Sequence, residues 1–115
     1  MKKANVILII SLLASINFCY ARDEVTSHKS LKIQALEFEK KKDYSHAIKL
    51  YEKLLKTDPT NTFYLSHLGV LYSKVGKYDL AEKYLREVLK ALPKDYDARF
   101  ALAQVYYWKK EYKSS

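Results

Sequence analysis

The stretch from Thr62 to Asp95, TFYLSHLGVLYSKVGKYDLAEKYLREVLKALPKD, decides the fold, because one copy of its pattern precedes it and the start of another follows. At an offset of 34 residues Tyr44, Tyr78 and Tyr112 align, as do Ala47 and Ala81, Leu54 and Val88, Leu55 and Leu89, and Pro59 and Pro93. Phe38, Tyr72 and Tyr106 share one column, Leu31 and Leu65 another, and Ala35, Gly69 and Ala103 a third. A fixed period of this length marks stacked units that bury their apolar faces against neighbours.

Within each period the residues read as two helices and a stop. Leu31, Ile33, Ala35, Leu36 and Phe38 recur at helical spacing, and Lys41-Lys42-Asp43 ends that helix with cations that suit its C-terminal dipole. A second helix, about Tyr44 to Lys56, is expected to bury Ala47, Ile48, Tyr51, Leu54 and Leu55. Asp58-Pro59-Thr60-Asn61 then closes the hairpin, since proline cannot continue a helix and Asn61 or Thr62 can cap the next one. The same grammar predicts helices near Thr62 to Val75 and Tyr78 to Ala91, with Gly76 in the left-handed turn between them. A fifth helix follows from about Asp95 to Lys109. Gly69, Ala35 and Ala103 are small where each first helix should cross its partner, opposite Ala47 or Ala81, and the repeated Tyr and Leu positions are expected in the core.

The period and the run Leu65, Leu68, Gly69, Tyr72, Gly76, Tyr78, Ala81, Leu85, Val88, Pro93 resemble the tetratricopeptide repeat. Repeat one, residues 28–61, departs with Gln34 where that pattern has Leu and Lys42 where it has Gly; repeat two, residues 62–95, departs least. Repeat three starts at Tyr96, has Arg99 at the usual Trp position, and covers residues 96–115 without a second helix. The resemblance implies an all-α fold: a right-handed α-solenoid of antiparallel helical hairpins, two full repeats plus the first helix of a third. It specifies fold better than ligand.

Composition agrees with a helical chain. Two Gly and two Pro in 115 residues leave little room for loops, while half the residues are apolar and 30% charged. Residues 1–21 read as a signal peptide: Lys2 and Lys3, an apolar core from Val6 to Ile16, and Cys19-Tyr20-Ala21 as the cleavage pattern. Cleavage after Ala21 would export the chain to the periplasm or cell envelope, and the net charge of +8 minus those two lysines leaves +6. An uncleaved anchor and a lipoprotein acylated at Cys19 are the alternatives. The only cysteine lies in this leader, so the mature chain would hold no disulfide. Residues 22–27 form a polar lead-in.

The chemistry inventory is short. His28, His46 and His67 are scattered, and the sequence has no H-E-x-x-H, glycine-rich phosphate loop or G-x-S-x-G. No catalytic, metal or cofactor residue is assigned, and no enzyme activity is expected. Glu82 and Arg86 read as a solvated surface pair. Lys40-Lys41-Lys42 and Lys109-Lys110 are read as turn cations, not as a nucleic-acid site.

Function is therefore expected in the groove that stacked hairpins make. The family's groove positions, carried over to this chain, are Lys29, Lys32, Leu36, Glu39 and Lys40; Phe63, Ser66, Val70, Ser73 and Lys74; and Asp97, Phe100, Gln104, Tyr107 and Trp108. Phe63, Phe100, Tyr107 and Trp108 are the candidate anchors. A family clamp for a peptide's terminal carboxylate needs Lys, Asn, Asn, Lys and Arg; only Lys32 fits, with Leu36, His67, Asp97 and Ala101 at the other places, so that activity is not expected. The resulting expectation is an exported scaffold binding a peptide or protein segment. The alternative is the N-terminal scaffold of a larger outer-membrane β-barrel protein in export or polysaccharide handling. Membrane contact is expected only through the leader or a downstream domain, and self-association through the open C-terminal end.

Overall fold

The computed structural model describes residues 27–114, so the leader and most of the lead-in lie outside the described residues. The chain divides into two compact units, residues 1–31 and 32–115. In the first, residues 27–31 are helical. The second carries the rest of that helix, α1 (residues 27–40), followed by α2 (Tyr44–Thr57), α3 (Thr62–Lys74), α4 (Tyr78–Ala91) and α5 (Tyr96–Ser114). No strand occurs among the described residues. None of their helices is long and apolar enough to cross a membrane.

Local chemistry sets the helix ends. Asn61 Oδ1 accepts from the amides of Phe63 and Tyr64 at 3.0 and 3.2 Å, capping α3, and Asp43 Oδ1 accepts from the His46 amide at 3.3 Å to cap α2. Asp95 Oδ1 does the same for α5, taking the Ala98 amide at 2.8 Å. The α3–α4 turn passes through Gly76 at φ 79°, and the α1–α2 turn passes through Lys42, one period earlier, at φ 62°. Both turns close alike, with the Asp43 amide on the Phe38 carbonyl (2.8 Å) and the Lys77 amide on the Tyr72 carbonyl (2.9 Å).

Helix α3 is the hub, in contact with α2, α4 and α5, and α4 also packs on α5. Tyr51, Leu54, Leu68, Leu71, Leu85, Val88 and Val105 are fully buried, and each such side chain removed from water is worth about 1.5–3 kcal/mol. Gly69 and Ala81 lie at the tightest crossing, but the group facing Gly69 is the Leu85 side chain, with the Ala81 carbonyl behind it.

Four expectations are corrected. Helix α5 runs to Ser114, through Lys110, where Lys42 and Gly76 turn the chain in the other repeats. Lys110 and Glu111 are good helix formers, and no following helix among the described residues compensates a left-handed residue there. Lys109 and Lys110 are therefore helical, not turn cations. Ala103 is exposed, since nothing described covers it as α4 covers Gly69. Leu55, Tyr44 and Tyr78 are half-buried rather than core, and Tyr106 is 42% exposed.

Candidate functional site

The first helices of the hairpins, α1, α3 and α5, present two groups of side chains that differ in how far they are already filled. One group is closed on itself. Lys32 Nζ stands 4.1 Å above the Phe63 ring, whose other neighbours include His67 (centroids 4.3 Å apart), Tyr64 (5.9 Å) and Tyr51 (6.4 Å). His67 stacks on Tyr51 at 5.1 Å, and its Nδ1 lies 2.8 Å from Glu39 Oε2. The Tyr51 hydroxyl donates to the same carboxylate oxygen at 3.2 Å. Burial, and after it the neighbouring Glu39 charge, push the Tyr51 phenol above its ordinary value, so it stays a hydrogen-bond donor. The residues of this group satisfy one another, and Lys32, the one match to the carboxylate clamp, is occupied by an aromatic ring.

The other group leaves a cleft. Val70, Ser73 and Lys74 of α3, Tyr78 at the start of α4, and Ala101, Gln104 and Trp108 of α5 enclose about 380 Å³. Trp108 is half exposed, and Lys74 Nζ lies 5.9 Å from the neutral Tyr44 ring, a loose contact that a carboxylate can displace. An apolar wall, one cation and the neutral hydrogen-bonding side chains of Ser73, Tyr78 and Gln104 suit the capture of a side chain. Among the described residues no group of His, Cys, Asp and Glu could hold a metal ion.

The expected groove residues divide accordingly. Val70, Ser73, Lys74, Gln104 and Trp108 meet in the cleft, whereas Lys32, Glu39 and Phe63 belong to the filled group. Lys29 is exposed in the first unit, and Lys40 and Asp97 are exposed. Ser66 is half-buried and Leu36 is 38% exposed; neither lines the cleft. Phe100, 56% exposed, stacks on Tyr96 instead, and Tyr107, 60% exposed, meets Trp108 edge-on at 5.3 Å from outside the lining. Tyr78 and Ala101 were not expected in a binding role. Tyr78 reads as a repeated packing residue, and Ala101 stands at one of the carboxylate-clamp places without the polar group that the clamp needs there.

Profiles of the tetratricopeptide repeat match residues 33–61, 50–83 and 72–115. Subunit 2-A of the ER membrane protein complex of Xenopus laevis is 30% identical over 80 residues, and so is subunit 2 from Xenopus tropicalis. That match covers 70% of this chain and 27% of each relative, so the chain spans about a quarter of their length. Among solved structures, the Sgt2 TPR domain from Aspergillus fumigatus is 29% identical with a TM-score of 0.68, over 76% of this chain and 58% of that one. The first TPR of Spaghetti (RPAP3), solved bound to the HSP90 peptide SRMEEVD, is 28% identical with a TM-score of 0.55, over 75% and 74% of the two chains.

Proposed function

The chain belongs to the tetratricopeptide repeat family, and on that premise we propose that it is an exported, non-enzymatic scaffold that holds a peptide or protein segment against α3 and α5. One observation carries this reading: the half-exposed Trp108 forms a wall of a cleft that also contains Lys74. A segment with an apolar side chain beside a carboxylate fits both, the side chain on Trp108 and the carboxylate at the Lys74 ammonium. The related domain bound to SRMEEVD supports peptide capture as such. The ligand proposed here differs from a terminal-carboxylate ligand, because the clamp positions hold Leu36, His67, Asp97 and Ala101, and Lys32 already covers Phe63.

Trp108 is the chain's single tryptophan, so its emission reports on the cleft directly. An array of C-terminally amidated peptides pairing Asp or Glu with Leu, Phe or Trp should contain binders that change this emission, with binding reduced about tenfold or more by Trp108→Ala. Loss of about tenfold is also expected for Lys74→Ala with acidic peptides only. Peptides that bind Trp108→Ala as tightly as the parent would overturn the assignment. Export rests on the leader pattern of residues 1–21, and mass spectrometry of protein from the producing cell should find Arg22 at the N-terminus. Met1 retained on cytoplasmic protein would end that part of the proposal.

The second reading, an N-terminal scaffold ahead of an outer-membrane β-barrel, is favoured by the uncovered side of α5. Ala103 is exposed at the position where Gly69 of α3 lies under Leu85. A reading frame continuing past Ser115 into alternating apolar and polar strands would select it.

A further inference from the structure

The 34-residue register equates Ile48 with Glu82 and Val75 with Lys109. Where the α2–α3 junction has two aliphatic residues, the α4–α5 junction has an ion pair. Lys109 Nζ lies 3.0 Å from Glu82 Oε2 and 2.7 Å from Asp79 Oδ1. The Tyr106 hydroxyl donates to Glu82 Oε1 at 3.2 Å and accepts from Arg86 Nη2 at 2.6 Å, and Arg86 in turn pairs with Glu82 at 2.7 Å. Glu82 is only 17% exposed and Lys109 28%, whereas Asp79 and Arg86 at the rim of the group are 86% and 59% exposed. Lys109 directly follows Trp108. A residue that bonds α5 to α4 thus sits next to the wall of the cleft, while Ala98 and Val105 supply the buried contacts of α5.

We propose that Asp79, Glu82 and Lys109 form an ionic latch that holds the Trp108 wall in place. Acid or high salt releases the last turns of α5, whereas the α2–α3 junction has no ion pair at the equivalent positions, Ile48 and Val75. Lys109 is thus a positioning residue for Trp108. The consequence for ligand capture rests on the peptide reading above; the latch itself is read without any ligand. The charged and titratable groups around Lys109 are Asp79, Glu82 and Arg86 of α4, Lys77 and Tyr78 at the α3–α4 turn, and Tyr106 and Lys113 of α5. Hydrogen bonds from Lys109 lower the Asp79 and Glu82 carboxyls below their ordinary values, and those to Asp79 and Glu82 raise the ammonium. For carboxyls lowered on folding, the contribution is present above the ordinary carboxylate range near about pH 4 and is lost as pH falls through the lowered values. For the raised ammonium it is present below about pH 10 and is lost as pH rises further.

The test reads Trp108 emission, acrylamide quenching and hydrogen exchange in the full chain. Going from about pH 7 to about pH 2, below the lowered carboxyls, or raising salt to about 1 M, where the screening length is ~3 Å, should red-shift Trp108 and speed exchange in α5 before α3 and α4. Lys109→Val should show the shifted emission already at neutral pH and low salt. The double variant Glu82→Ile with Lys109→Val, which imports the residues of the α2–α3 junction, should restore the parent emission and remove the response to salt and acid. Asp79→Asn with Glu82→Gln keeps the side-chain shapes and should reproduce the Lys109→Val emission. Parent emission that ignores salt and acid, or a double variant that still responds to them, overturns the latch. Peptides that fail to bind while these responses persist overturn only the peptide reading.

Discussion

A methyl group built on Gly69 would sit 2.6 Å from Leu85 Cγ and 2.7 Å from Cδ2, closer than side-chain carbons approach, with the Ala81 carbonyl oxygen at 3.5 Å. Leu85 is 1% exposed, so it has little free space into which to move. Gly69→Ala sets two effects against each other. Alanine is favoured over glycine inside a helix by about 0.8–1 kcal/mol, but overpacking a filled crossing costs about 1–3 kcal/mol. Overpacking should win by about 1 kcal/mol, and denaturant midpoints of matched proteins should fall accordingly. A Gly69→Ala protein as stable as the parent would place the closest α3–α4 approach elsewhere.

The α1–α2 turn offers the opposite case. Lys42 holds φ 62°, the conformation that Gly76 adopts at φ 79° one period later. A side chain in this region costs about 1–2 kcal/mol, partly offset by the lower entropy of an unfolded lysine relative to glycine. Lys42→Gly should therefore raise stability by about 0.5–1 kcal/mol. Gly76→Ala should lower it by about 1 kcal/mol, even though the site has open space around it. Thermal melts decide the matter, and a destabilised Lys42→Gly protein would refute the strain.

Tyr51 and Tyr72 make stability depend on pH at the alkaline end. Burial raises both phenols first; the Glu39 charge adds to the rise of Tyr51, and the hydrogen bond to Glu52 adds to that of Tyr72. An unfolded tyrosine ionises near about pH 10, whereas the folded ones hold their protons to higher pH. Their contribution is complete below about pH 10 and is lost as pH rises through the raised values. Tyr51→Phe and Tyr72→Phe should each cost about 1 kcal/mol at neutral pH and flatten the decline above about pH 10. Lysine deprotonation acts in both parent and variant, so the difference between their curves is the measurement. Identical slopes would clear the tyrosines.

Much of the fold was legible because its punctuation is local. Pro59, Gly76 and Asn61 act through their own backbone or the next three residues, and α4 spans Tyr78–Ala91 as its sequence pattern predicts. The end of α5 was not legible. A turn at Lys110 would need a left-handed residue there, and only a helix packed in return, as α2 packs after Lys42, compensates one.

The sequence by itself determined which side chains share a face: the helical period puts Val70 with Ser73 and Lys74, and Gln104 with Trp108, whatever else the chain does. Only the tertiary structure decided which of those faces is free. Lys32 is taken by Phe63 and His67 by Glu39, so the cleft is left to Lys74 and Trp108. These pairings are 31 and 28 residues apart. Covalent geometry fixes the spacing of side chains along one helix. The rotation of one helix against another depends on the packing of distant residues such as Gly69 on Leu85 and Lys109 on Glu82, which no local pattern encodes.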